Sequence, residues 1–99
     1  MNALINQHQQ LLQELVKNND VAYLGLFGST ARNEQTENSD IDLLIRFKTP
    51  GGLLRRARVQ RKLEAIFHKK VDLVSQKALS PMLKPYIDKE LITIYPENL

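Results

Sequence analysis

The sequence has no cysteine and no tryptophan, and only six aromatic residues, four glycines and four prolines among its 99 residues. The missing cysteine removes disulfides, thiolate metal sites and thiol nucleophiles together, and agrees with a reducing compartment. With so few aromatics, the core has to be built from Leu, Ile and Val. Long apolar runs are also missing. The longest, Val21 to Phe27, is far short of a membrane span, and Met1 to Gln13 scatters single apolar residues among Asn and Gln, unlike a signal peptide. The cytoplasm is therefore the expected location, with no membrane partner. A chain of 99 residues has room for one core, so a single domain over 1–99 is expected. Its 42% apolar and 25% charged residues are ordinary for a globular protein, and so small a core leaves room for help from a partner or a second copy, that is, for a homo- or hetero-oligomer.

Charge is unevenly spread. The net value is +3, but Arg46 to Lys70 holds nine basic residues and one acid, Glu64, whereas the remainder holds five basic and ten acidic residues. Such a division suits a polyanionic ligand or an acidic partner, or a solvated helix face.

Leu4, Ile5, Leu11, Leu12, Leu15 and Val16, with His8 in line, form a stripe at helical spacing that predicts a helix over residues 2 to 18. Asn18-Asn19-Asp20 stops it. Val21 to Phe27 reads as a strand buried on both faces, followed by a break at Gly28-Ser29 and a short helical turn at Thr30-Ala31-Arg32. Asp40 to Phe47 is the second strand. Beyond the loop Thr49-Pro50-Gly51-Gly52, a second long helix ending near His68 is expected to bury Leu53, Ala57, Val59, Leu63, Ile66 and Phe67 and to present Arg55, Arg58 and Lys62 on another face. Val71 to Val74 is a third strand. Ser80-Pro81 can start a last helix, which Pro85 must kink or delay, and Leu91 to Tyr95 can form a fourth strand. The fold class expected is α/β (α+β), with a small mixed sheet flanked by helices.

Chemistry concentrates at three places. Gly28-Ser29, after a buried strand, offers backbone and hydroxyl donors to a phosphate, although such a pair is also an everyday turn. Asp40 and Asp42, two apart on a strand, put their carboxylates on one face while Ile41 and Leu43 enter the other. Like charges that close raise each other's pKa unless a cation lies between them. Hard oxygen donors without His or Cys favour Mg²⁺. Asp72, between Val71 and Leu73, is a third carboxylate in an apolar strand, where an unpaired charge is costly. A plainer reading makes Asp40 a loop cap, Asp42 an exposed strand residue and Asp72 an ion-pair partner for Lys69 or Lys70.

The spacing adds to this. Gly28-Ser29, ten residues, then Asp40-Ile41-Asp42 resembles the signature of the DNA polymerase β-like nucleotidyltransferase superfamily, and Asp72 in Lys70-Val71-Asp72-Leu73-Val74 resembles its third carboxylate. The strings Phe27-Gly28-Ser29-Thr30-Ala31-Arg32 and Ser39-Asp40-Ile41-Asp42-Leu43-Leu44-Ile45 resemble the minimal nucleotidyltransferases (MNT) that accompany HEPN-domain toxins in prokaryotic toxin–antitoxin pairs. The likeness covers nearly the whole chain. Asn33 departs from it, standing where many relatives carry glycine, which affects a turn and no metal ligand.

The resemblance implies a mechanism. Asp40 and Asp42 would hold two Mg²⁺ ions on the triphosphate of ATP; Asp72 would complete the second metal site and help to deprotonate the acceptor. Gly28 and Ser29 would grip the β- and γ-phosphates while a hydroxyl attacks the α-phosphorus and expels pyrophosphate. Two metals about 3.5–4 Å apart stabilise attacking and leaving oxygens together. The activity implied is an antitoxin's transfer of AMP to a hydroxyl, tyrosine foremost, of a HEPN toxin. Arg32 either reaches the triphosphate or pairs with Glu34 or Glu37.

Two other functions compete with that one: an antitoxin that masks its toxin sterically, and a nucleotidyltransferase for a small-molecule acceptor such as an aminoglycoside. The first has no need of three gathered carboxylates, and the second usually needs a further domain. The basic helix lacks exposed aromatics for stacking and any reading motif, so nucleic acid is not its expected primary ligand; the triphosphate or the partner is. His8 and His68 lack a second ligand at metal spacing. Of Tyr23, Tyr86 and Tyr95, Tyr86 is expected to be the exposed one.

Overall fold

The computed structural model describes residues 3–96. In chain order the elements are α1 (Ala3–Gln7), α2 (Gln9–Asn18), β1 (Val21–Phe27), α3 (Gly28–Ala31), β2 (Ile41–Phe47), α4 (Leu53–Phe67), β3 (Val71–Ser75), a 3₁₀ turn (Gln76–Ala78), α5 (Lys84–Glu90) and β4 (Ile92–Tyr95). The strands form one sheet in the order β3-β2-β1-β4. β1 runs antiparallel to β2 and β4, while β2 and β3 are parallel, so the sheet is mixed, as the sequence predicts. The parallel pair follows from α4, a fifteen-residue crossover long enough to return the chain to the same end of the sheet.

The core is aliphatic. Ile41, Leu43 and Ile45 of β2, with Leu24 and Leu26 of β1, pack against Leu12, Leu15 and Val16 of α2 and Val59, Leu63 and Phe67 of α4. Alternate residues of the same strands face the other side of the sheet.

The first helix differs from expectation. Residue 2, where it was expected to begin, lies outside the described residues, and the helix is broken at His8. There the His8 amide donates to the Ile5 carbonyl at 3.1 Å and its ring meets Phe67 edge-on at 5.4 Å between centroids. Ile5, Leu12, Leu15 and Val16 keep one buried stripe across the break, and Leu11, expected on it, lies at its edge and is 50% exposed. In α4, Val59, Leu63 and Phe67 recur every four residues. Extending that stripe backward reaches the half-buried Arg55 and Arg56, leaving Leu53 and Ala57, both expected inside, exposed instead. Pro85 delays the last helix. The chain makes a turn after Ser80, with the Leu83 and Lys84 amides on the Ser80 carbonyl, and α5 begins only at Lys84. Asn33 takes the left-handed conformation, φ 58°, confirming its place in a turn.

Candidate active site

The site forms where β1 ends and β2 and β3 begin. Parallel pairing sets Asp42 directly opposite Asp72, and antiparallel pairing sets Asp42 opposite Phe27, the residue before Gly28. Asp42 and Asp72 therefore share the face of the sheet turned away from Leu43 and Leu73, which are buried in the core. Asp40 precedes β2, whose first amide, that of Ile41, donates to the Lys70 carbonyl at 2.9 Å and fixes the start of the β2–β3 register.

Gly28 is placed against this pair. Its φ of +77° is one that side-chain-bearing residues rarely adopt, and a Cβ there would run into the Asp42 carboxylate. Both constraints select glycine, and together they bring the Gly28-Ser29 backbone against a carboxylate. Ser29 and Asp42 are half-buried; Asp40 and Asp72 are exposed.

Burial, then the negative charges of Asp72, Asp40 and Glu90, push the Asp42 pKa above the ordinary carboxylate value, with Arg32 pulling the other way. Among the described residues no ion pair reaches Asp40, Asp42 or Asp72. The plain reading of Asp72 as a partner of Lys69 or Lys70 thus does not hold; Lys69 donates to the Thr36 carbonyl at 3.3 Å. The burial cost expected for Asp72 does not arise either, because strand alternation turns it out to solvent. No three His, Cys, Asp or Glu side chains among the described residues are drawn together closely enough to hold a metal ion as they stand. In kind, however, the donors fit a hard divalent cation: they are all carboxylate oxygens, Asp42 and Asp72 on one face with Asp40 just before β2, and Arg32 offsets only part of their repulsion.

Arg32 pairs with Glu34, as one sequence reading held, at 3.1 Å; Glu37 is not its partner. Its shorter contact is with Glu90, Nη1 to Oε2 at 2.6 Å, and these two carboxylates raise its pKa. The other Glu90 oxygen accepts the Gly28 amide at 2.9 Å. Partial burial works to raise the Glu90 pKa, but the hydrogen bonds from Arg32 and Gly28 overcome it and hold the group below its ordinary value. Sequence reasoning missed Glu90, which lies 62 residues from Gly28, and no local spacing signals the contact.

Much of the basic segment is committed elsewhere. Arg55 donates to the Thr49 carbonyl at 2.6 Å and to Asp20 at 3.3 Å, and stacks over Phe47 with 4.0 Å to the ring centroid. Arg56 donates to the Leu73 carbonyl and Arg46 to Gln76. Arg55, with Phe47, stands at the opposite end of β2 from Asp42, so this part of the segment does not serve a triphosphate at the carboxylates, contrary to one expectation. Arg58, Arg61 and Lys62 remain as an exposed basic face. Tyr86 is 71% exposed while Tyr23 and Tyr95 are half-buried, as expected. No helix among the described residues is long and apolar enough to cross a membrane.

Residues 7–94 match the nucleotidyltransferase domain family. The chain is 38% identical over 92 residues to "Putative protein adenylyltransferase MJ0126" of Methanocaldococcus jannaschii, covering 92% of this chain and 91% of that one. Among solved structures it resembles "Structure of putative minimal nucleotidyltransferase", with a TM-score of 0.76, 34% identity and 88% coverage of both chains. It also shares the fold of a chain from a complex described as a tri-AMPylated Shewanella oneidensis HEPN toxin with MNT antitoxin. There the TM-score is 0.69 at 19% identity, covering 94% of this chain and 73% of the other.

Proposed function

The chain belongs to the minimal nucleotidyltransferase family, and from that premise we propose that it transfers AMP from ATP to a hydroxyl, tyrosine foremost, of a HEPN-domain toxin that it thereby neutralises, with release of pyrophosphate. The observation that carries this reading is the register of Asp42 against Asp72 with Gly28 folded onto Asp42. That arrangement leaves carboxylate charge only partly offset by Arg32 beside a loop of close approach. The relative named as an adenylyltransferase and the AMPylated toxin in the fold's neighbour support AMP as the group transferred.

Asp40, Asp42 and Asp72 would hold two Mg²⁺ ions, which when bound neutralise the triphosphate and polarise the phosphoryl oxygens. The chain's own groups do the rest. Ser29 and the Gly28-Ser29 backbone grip the β- and γ-phosphates, and Arg32 pairs with their charge. An Asp72 carboxylate oxygen, exposed toward an incoming acceptor, takes the proton as the hydroxyl oxygen bonds to the α-phosphorus. The bond from α-phosphorus to the bridging oxygen breaks, and pyrophosphate leaves. Residues 1–99 act as one catalytic domain in the cytoplasm, in agreement with the lack of cysteine. The acceptor hydroxyl is supplied by the partner.

Asp40→Ala and Asp42→Ala are each expected to abolish transfer of label from α-labelled ATP to the partner while leaving the circular dichroism spectrum unchanged. Near-normal turnover in either purified variant would overturn the assignment.

A further inference from the structure

We infer that Glu90 is a counter-anion of the nucleotide site: its carboxylate holds the Gly28 amide and Arg32, and a triphosphate must take Arg32 away from it to bind. The inference rests on the nucleotide reading above and adds to it a residue that tunes affinity by acting through Arg32.

One carboxylate spans both donors, Oε1 on the Gly28 amide at 2.9 Å and Oε2 on Arg32 Nη1 at 2.6 Å. Two oxygens bridging a backbone N–H and a guanidinium imitate the oxygens of a phosphate. These are donors that the proposed mechanism gives to the β- and γ-phosphates, so ligand and Glu90 compete for them. Glu90 also adds a fourth negative charge beside Asp40, Asp42 and Asp72, and Arg32 carries the cationic side of that balance. Its guanidinium, being 45% exposed, can rotate toward an incoming anion, whereas Glu90 is the last residue of α5 and is 22% exposed. Breaking the Glu90 to Arg32 pair therefore weakens one of the ties between α5 and the loop around Gly28. Glu90 costs the enzyme triphosphate affinity. In return it keeps Arg32 aimed at the site and offsets its charge while no nucleotide is present.

The test is calorimetric titration of the wild-type chain and Glu90→Gln with the non-hydrolysable analogue AMP-PNP in Mg²⁺, and with AMP. The glutamine keeps an acceptor for the Gly28 amide but removes the charge. It should bind AMP-PNP about three- to fivefold more tightly, the fold-change equivalent of an exposed ion pair's upper range. AMP, which has no β- or γ-phosphate, should bind both proteins alike, and the gain should shrink when Arg32→Gln is combined with Glu90→Gln. If wild type binds AMP-PNP and the variant binds equally or more weakly, Glu90 is no competitor and the inference fails. If wild type does not bind AMP-PNP at all, it is the nucleotide reading that fails. Hydrogen exchange on wild type needs no folded variant: AMP-PNP should speed exchange in Lys84–Glu90 while protecting the Gly28 loop, and protection of both would contradict displacement.

Discussion

On the proposed reading, Asp42 gives up stability for chemistry. It is half-buried and faces Asp72 across the parallel pair with no cation between them. Replacing it with Asn in the metal-free protein should remove a like-charge cross-strand contact worth about 0.5 kcal/mol, which raises the melting temperature by about 2–4 °C for a domain of this size. A lower melting temperature by scanning calorimetry would mean that the charge is compensated. The sign with pH follows from the raised pKa. The folded state holds this proton more tightly than the unfolded chain does, so the stabilisation is present below the unfolded pKa and is lost as pH rises through the folded one. The advantage of Asn should therefore grow as pH rises through that window, level off above it and vanish in acid. Gly28 is bound to the same carboxylate by its φ of +77° and by the space a Cβ would need. Gly28→Ala should cost about 1–2 kcal/mol in urea unfolding from the left-handed backbone alone and should also abolish transfer, since the methyl group displaces Asp42. The strand positions of Asp42 and Asp72 and the turn at Gly28 were legible in the sequence, because strand alternation and a glycine leave local signatures; it was the motif spacing that grouped them with Asp40 and Ser29. Glu90 was not legible, since its contact depends on how α5 docks beside α3.

Among the elements, α4 shows where periodicity misleads. Its apolar residues suggest a stripe that includes Leu53 and Ala57, but the buried positions Val59, Leu63 and Phe67 continue backward onto Arg55 and Arg56. Those arginines are part of the architecture: Arg55 pins the Thr49 to Gly51 loop and Asp20 to the start of the helix. A sequence gives the charge of such a residue but not the carbonyl it caps. Arg55→Ala should destabilise the fold by about 2–4 kcal/mol, the combined worth of a charged hydrogen bond and a cation–π contact. Its transfer rate per folded molecule should match wild type; a selective rise in KM for ATP would return Arg55 to the site. Asp20, its partner, has its pKa lowered chiefly by the Thr49 hydroxyl, then by the Thr49 amide, Arg55 and Lys48. Its contribution is present above the unfolded pKa and disappears as pH falls through the folded one, opposite in sign to that of Asp42. Asp20→Asn should flatten the acid limb of a thermal stability profile, and an unchanged limb would show the contact to be idle.

At the scale of the molecule, 99 residues suffice for a mixed sheet, its helical cover and one carboxylate site. On the proposed reading, the acceptor comes from the partner. That the sheet is mixed was legible in the alternation of elements, whereas its strand order, and the break at His8 beside the Phe67 ring, are tertiary features that local periodicity does not encode. Arg58, Arg61 and Lys62, exposed on α4, remain available to an acidic partner surface. The central claim is that this site modifies a partner and does not merely cover it. It is tested most directly by mixing the purified chain with a HEPN-domain toxin, ATP and Mg²⁺, and weighing the toxin intact. The account predicts a mass increase by whole AMP units, on hydroxyl side chains, that disappears with Asp42→Ala. A partner that is inhibited yet unchanged in mass would contradict it and select masking.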